Sequence, residues 1–216
     1  MHVTDQNEPN TRMKNVIFMI GLMGSGKTTV GTILAQKMGA AFLDTDALIE
    51  EREGMKISEI FEKFGESYFR DLETALLERL RNEQKLAGNP SRSDGRSRSD
   101  EQRLSNDSKS RAVKAVISVG GGLPVREKNR DLMRTIGTTV LLNANEDTLL
   151  QRLMGDDTRP LLRGGDLLER IRTLSRARMA LYRDVADLEV QVDDRTPEVI
   201  ANEVILRLEK TAAAFS

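Results

Sequence analysis

The chain has 216 residues and a formal net charge of −1. That length suits one well-filled α/β domain with small inserted lids, and that charge gives no global field to attract nucleic acid or anionic membrane. It contains no cysteine, which excludes disulfides, thiol catalysis and cysteine zinc sites. The single histidine, His2, lies in a polar N-terminal stretch, so any general base is expected to be a carboxylate or water.

Residues Met1 to Arg12 mix acidic and basic groups and lack the apolar centre of a signal peptide. No apolar run approaches the roughly twenty residues that span a bilayer. The expectation is a flexible tail over 1–13 on a cytoplasmic protein with no membrane or nucleic-acid partner. Val16 to Ile20 then form an apolar run, and a helical pattern (Val30, Ile33, Leu34, Met38) begins ten residues further on. Between them stands Gly21-Leu22-Met23-Gly24-Ser25-Gly26-Lys27-Thr28. A Gly-rich octet ending in Lys-Thr at a strand-to-helix junction is a phosphate-binding loop: successive backbone N–H groups and the helix N-terminus point into one concavity. Lys27 is expected on the β/γ-phosphate oxygens and the Thr28 hydroxyl on Mg²⁺, with Gly24, Ser25, Gly26 and Thr29 completing the ATP cradle.

Ala40 to Asp46 read as a short buried strand ending in two carboxylates. If strand geometry continues, Asp44 and Asp46 project to one side and can serve a metal and a hydroxyl; the competing reading makes Asp46 the N-cap of the helix that follows. Two helical stripes come next, Ile57 to Phe64 and Phe69 to Leu80. Arg70 and Glu73 fall on one face of the second, where a plain surface ion pair is the competing reading. From Gly88 to Arg111 the composition turns to Ser, Arg, Asp, Asn and Gly, which predicts a disordered polar loop. Ala115 to Val119 is a buried strand running into Gly120-Gly121-Gly122, whose glycines allow backbone to approach a ligand, and a helix is predicted to begin at Pro124. Thr138 to Leu142 is a strand and Glu146 to Leu153 a helix. The Gly- and Arg-rich stretch 154–166 suits a mobile lid. A helix from Asp166 to Ala186, a strand from Leu188 to Val192 and a closing amphipathic helix complete the pattern, which predicts an α/β fold with a parallel sheet of about five strands.

Gly-Leu-Met-Gly-Ser-Gly-Lys-Thr, Phe-Leu-Asp-Thr-Asp, Phe-Arg-x-x-Glu, Gly-Gly-Gly, Arg-Pro-Leu-Leu and Arg-x-x-x-Tyr, in this order over about Lys14 to Leu208, resemble the shikimate kinases. The resemblance implies a three-layer P-loop kinase with strand order 2-3-1-4-5, a single domain over 14–211, a substrate-binding region over about 44–82 and transfer of the ATP γ-phosphoryl to the 3-hydroxyl of shikimate. It implies that Asp46, Arg70, Gly121, Gly122 and Arg178 hold shikimate, with Asp46 accepting the hydroxyl proton. It places Lys27 and the lid residue Arg159 on the phosphates, and Arg152 and Arg195 beside adenine. Asp44 takes an outer-shell Mg²⁺ role and Ser118 a metal-linked position. Thr196 departs from the amide side chain some relatives carry there, and the 88–111 insertion is longer than the usual connection. A monomer is expected. The nearest rival readings are a gluconate or nucleoside monophosphate kinase, and a nucleotide-binding regulator whose Arg-Ser loop binds RNA.

Overall fold

A computed structural model describes residues 15–88, 113–154 and 166–213. The predicted tail over 1–13, most of the polar insertion 88–111 and most of the lid 154–166, Arg159 included, lie outside the described residues. Five strands, β1 (Val16–Ile20), β2 (Ala41–Asp44), β3 (Ala115–Ser118), β4 (Thr138–Asn143) and β5 (Leu188–Gln191), form one sheet in the order β2-β3-β1-β4-β5. All four pairings are parallel, as the resemblance implies.

The sheet is buried on both faces because its central strand is apolar at every position. Side chains alternate across a strand, so Val16, Phe18 and Ile20 enter one core and Ile17 and Met19 the other. The second core is closed by α1 (Lys27–Met38) and α7 (Pro197–Ala213), through Val30 and Leu34 on the first and Ile200 and Val204 on the second. The first is closed by α3 (Ile57–Gly88), α4 (Glu127–Ile136), α5 (Glu146–Leu153) and α6 (Leu167–Val185). The chain leaves β1 towards α1 on one face and leaves the neighbouring β3 towards α4 on the other. Diverging exits from adjacent parallel strands open a crevice at their C-terminal ends, where ligands bind in doubly wound sheets.

Several predicted elements differ in detail. The Ala40–Asp46 stretch is an edge strand of four residues, exposed to half-buried, because β2 has a neighbour on one side only. It ends at Asp44, and α2 (Thr45–Glu53) begins at once. The two carboxylates therefore do not share one strand face, and Asp44 rather than Asp46 is the N-cap, its Oδ1 accepting from the Asp46 N–H at 3.0 Å. The two stripes after it belong to one element, α3, broken at Gly65 with φ 80° and ψ 172°. Only glycine enters that region cheaply, so the break is written at that residue. The helix then runs to Gly88, where the polar loop is predicted to start. Pro124 sits inside a single 3₁₀ turn, Leu123–Val125, and α4 starts only at Glu127.

Candidate active site

The octet 21–28 forms the turn from β1 into α1. Gly21, Gly24 and Gly26 have positive φ, and the left-handed Gly26 is the residue from which the helix departs. The Lys27 ammonium lies over the loop, donating to the carbonyls of Gly21 and Leu22 at 3.0 Å each. Ser25 is buried, and its hydroxyl has no hydrogen-bond partner among the described residues. Thr28 and Thr29 are exposed at the mouth of the first helical turn. The Arg152 guanidinium reaches in from α5, donating to the carbonyls of Gly24 and Val192 at 3.3 Å. Arg195 is braced by the Gln191 carbonyl at 2.8 Å and by Glu203 of α7 at 2.5 Å. Thr196 caps the start of α7, its hydroxyl 3.4 Å from the Val199 N–H, a local reason for a hydroxyl residue at this position.

Gly24 to Thr29, Arg152 and Arg195 border a cleft of about 1160 Å³ that also takes in Asp44, Asp46, Arg70, Gly120 to Gly122 and Arg178. That exceeds the roughly 300–1000 Å³ usual for one small ligand, as two substrates side by side require. Every predicted site residue among those described, Thr29 included, lines it. Ser118, at the end of β3 and paired in register with Asp44 of β2, lines it too.

The half of the cleft away from the octet is held by buried charge. Arg70 donates through Nη1 to both Glu73 oxygens, at 3.0 and 2.9 Å, and through Nε and Nη2 to Glu66 Oε1, at 3.2 and 2.7 Å. The Glu73 side chain is fully buried and that of Arg70 is 14% exposed, so a surface ion pair does not describe this contact. Burial pushes the Glu73 carboxyl up to about 7, against the opposing pull of Arg70 and with a smaller push from Asp46. On Arg70, burial works against the charge, but Glu73 and then Glu66 outweigh it and hold the guanidinium above its usual value. The glycine turn passes against this group so closely that a Cβ on Gly122 would stand 2.1 Å from Arg70 Nη1. A Cβ on Gly120 would stand 2.5 Å from Asp46 Oδ1 and 3.4 Å from Glu73 Oε1. The turn therefore brings α2 and α3 to one point.

Sequence reasoning gave no role of their own to three contributors here. Tyr182 is fully buried and donates to the Gly121 carbonyl at 2.5 Å, beside Arg178 Nη1 on the same oxygen at 3.2 Å. Thr45 is fully buried, and its hydroxyl accepts from the Gly120 N–H at 2.9 Å. Glu66 is the second carboxylate on Arg70. The i,i+4 spacing of Glu66 to Arg70 was a signal for the last; the other two contacts join residues 61 and 75 positions apart, and no local pattern encodes them.

The donor set suits a hard divalent cation: the Thr28 hydroxyl and the Asp44 carboxylate, both lining the cleft, are oxygen groups of the kind such a cation takes. No group of three or more acidic or histidine side chains among the described residues could cage a metal, so Mg²⁺ here would take most of its shell from phosphate and water. Among the described residues, no helix is long and apolar enough to cross a membrane.

Comparison with known proteins points to one family. A family model described as shikimate kinase matches residues 23–87 and 94–209, its one break falling within the polar insertion. A shikimate kinase of Sulfurihydrogenibium sp. is 38% identical over 198 residues, covering 92% of this chain and 99% of its own. Among solved structures, shikimate kinase from Acinetobacter baumannii in complex with shikimate is 31% identical, covers 92% of this chain and 94% of its own, and has a TM-score of 0.71. Shikimate kinase from Aquifex aeolicus is 33% identical, with 91% and 98% covered and a TM-score of 0.68. A gluconokinase from Sinorhizobium meliloti shares the fold alone, at 17% identity and a TM-score of 0.50. Matched by the family model over most of its length and by relatives above 30% identity along nearly their whole length, the chain belongs to the shikimate kinase family.

Proposed function

We propose that this protein transfers the γ-phosphoryl of ATP to the 3-hydroxyl of shikimate, giving shikimate 3-phosphate and ADP for aromatic amino acid synthesis. The observation that carries the reading is Arg70: a guanidinium fixed by Glu73 and Glu66 against the Gly122 backbone, in the same cleft as the phosphate loop. A planar cation so held suits the shikimate carboxylate, which it can grip through two parallel bonds. Arg178 and the Gly121–Gly122 backbone take the other side of the acceptor, and Asp46 accepts from the ring hydroxyls.

The transfer is direct and in line. A lone pair of the 3-oxygen forms the new bond to the γ-phosphorus as the bond to the β–γ bridging oxygen breaks, and the hydroxyl proton passes to Asp46. Lys27 leaves its carbonyl partners for the β- and γ-oxygens, and the loop amides disperse the charge of the moving group. Ser25, Thr28 and Thr29 hold the phosphates, while the braced planes of Arg152 and Arg195 flank adenine. Thr28, with Asp44 in the outer shell, would hold Mg²⁺, which would supply neutralisation of phosphate charge. Arg159, outside the described residues, is assigned to the phosphates as the lid arginine. The enzyme is assigned to the cytoplasm as a monomer, with one catalytic domain over 14–211.

ADP release measured by a coupled assay with shikimate, gluconate and a nucleoside monophosphate tests the reading. Turnover with shikimate alone is the expected result. Equal or faster turnover with another acceptor overturns it.

A further inference from the structure

Something must fix the distances between Arg70, Arg178 and the glycine turn, because these groups stand on three elements far apart in the chain. The 3₁₀ turn Leu123–Val125 follows Gly122 directly. Each of its three carbonyls accepts from a side chain in the first turn of α4. Asn129 Nδ2 donates to Leu123 O at 2.9 Å, and Arg130 Nη1 donates to Pro124 O and Val125 O, both at 2.9 Å. The same two side chains continue outwards. With its amide nitrogen on Leu123, Asn129 turns its oxygen to α3 and accepts from the Thr74 hydroxyl at 2.8 Å. Thr74 follows Glu73 directly, and its hydroxyl also lies 3.0 Å from the Arg70 carbonyl. Arg130 Nε donates to Asp184 of α6 at 3.0 Å, two residues beyond Tyr182. Asn129 is fully buried and Thr74 nearly so, whereas the Asp184 side chain is half exposed.

We propose that Asn129 and Arg130 are positioning residues for the acceptor substrate: a two-armed brace, anchored on the carbonyls of the 3₁₀ turn, that holds α3 with Arg70 and α6 with Arg178 at fixed distances from Gly121 and Gly122. It rests on the reading that Arg70 and Arg178 hold shikimate. The buried arm through Thr74 carries most of the effect, because an unmade hydrogen bond between buried groups costs more than a screened ion pair at a half-exposed carboxylate.

The test compares Thr74→Val, Thr74→Ser, Asn129→Ala and the double variant of Thr74→Val with Asn129→Ala, with Arg70→Lys marking the acceptor site. Thr74→Val should raise the KM for shikimate about three- to tenfold, the equivalent of one net hydrogen bond, while the KM for ATP stays within about twofold. Thr74→Ser, which restores the hydroxyl, should restore the KM. The double variant should be no worse than Asn129→Ala alone, since both remove one bridge. If Asn129→Ala does not fold, the nearly isosteric Thr74 pair decides. Equal rises in both KM values, or an unchanged shikimate KM in Thr74→Val while Arg70→Lys raises it, overturn the brace and leave the site assignment standing. An unchanged shikimate KM in Arg70→Lys removes the assignment on which the brace rests.

Discussion

The two halves of the cleft are built in opposite ways. The phosphate half is built around one continuous segment, 21–29, shaped by backbone torsions at three glycines, with threonines open to solvent. The acceptor half is gathered from α2, α3, the glycine turn after β3 and α6, and is held by side chains buried within it. A phosphate chain has many equivalent oxygens and is met well by a row of amides. A small ring with one carboxylate and several hydroxyls must be met by single groups at fixed places, and burial makes each of those groups costly to leave unpaired. The difference teaches that specificity here is a property of packing, while phosphate binding is a property of one turn.

Four perturbations sharpen or break that contrast. The largest effect is expected from Asp46→Asn, which keeps the shape of the acceptor half and removes its proton acceptor. Turnover should fall about 10²- to 10⁴-fold, with ATP affinity, measured by titration of the nucleotide, unchanged. Unchanged turnover would strip Asp46 of its role. Next is Gly122→Ala, whose Cβ would meet Arg70 Nη1 at 2.1 Å and Cζ at 2.3 Å. The guanidinium must move, so the KM for shikimate should rise on the order of tenfold or more, while the KM for ATP stays put. A parallel rise in both would mean that the halves are not independent.

The third concerns Glu73, whose carboxyl burial lifts from 4.5 to about 7. Below about 7 it takes a proton, loses one acceptor for Arg70 and releases the orientation of the guanidinium. The kcat/KM for shikimate should therefore fall on the acid side with a break near 7, and Glu73→Gln should be low and flat across the same range. Stability runs the other way. Between 4.5 and about 7 the folded chain holds a proton the unfolded chain has released, so the contribution of Glu73 is full below 4.5 and is lost as pH rises through about 7. The Tm difference between the parent and Glu73→Gln should track that loss, and a pH-independent difference would contradict it. The smallest effect is expected from Arg195→Ala, on the rim of the phosphate half. It should raise the KM for ATP only about three- to tenfold and leave the KM for shikimate unmoved.

Legibility followed the same divide. The octet could be read because its function is carried by backbone, and backbone behaviour is written locally as Gly, Lys and Thr at fixed offsets. Arg70 with Glu73 looked like an ordinary i,i+3 pair until the resemblance raised its standing, because spacing cannot report that α3 buries that face. For Asp44 and Asp46 the spacing left two readings open, a pair on one strand face or an N-cap at Asp46, since one residue decides where an edge strand gives way to a helix; the contact that settles it is the Asp46 N–H donating to Asp44. The two stripes of α3 were separable in pattern, but only the backbone at Gly65 shows them to be one broken helix.

By itself, the sequence determined the order of strands and helices, the phosphate loop and the candidate ligands, because hydrophobic period and glycine placement act within a few residues of themselves. Tertiary structure alone decided which face of Arg70 is buried, that Tyr182 and Arg178 share the Gly121 carbonyl, and that Asn129 and Arg130 link the turn to both helices. Those contacts join residues tens of positions apart, and a hydrogen bond between such residues exists only once the sheet has brought their helices to the same edge.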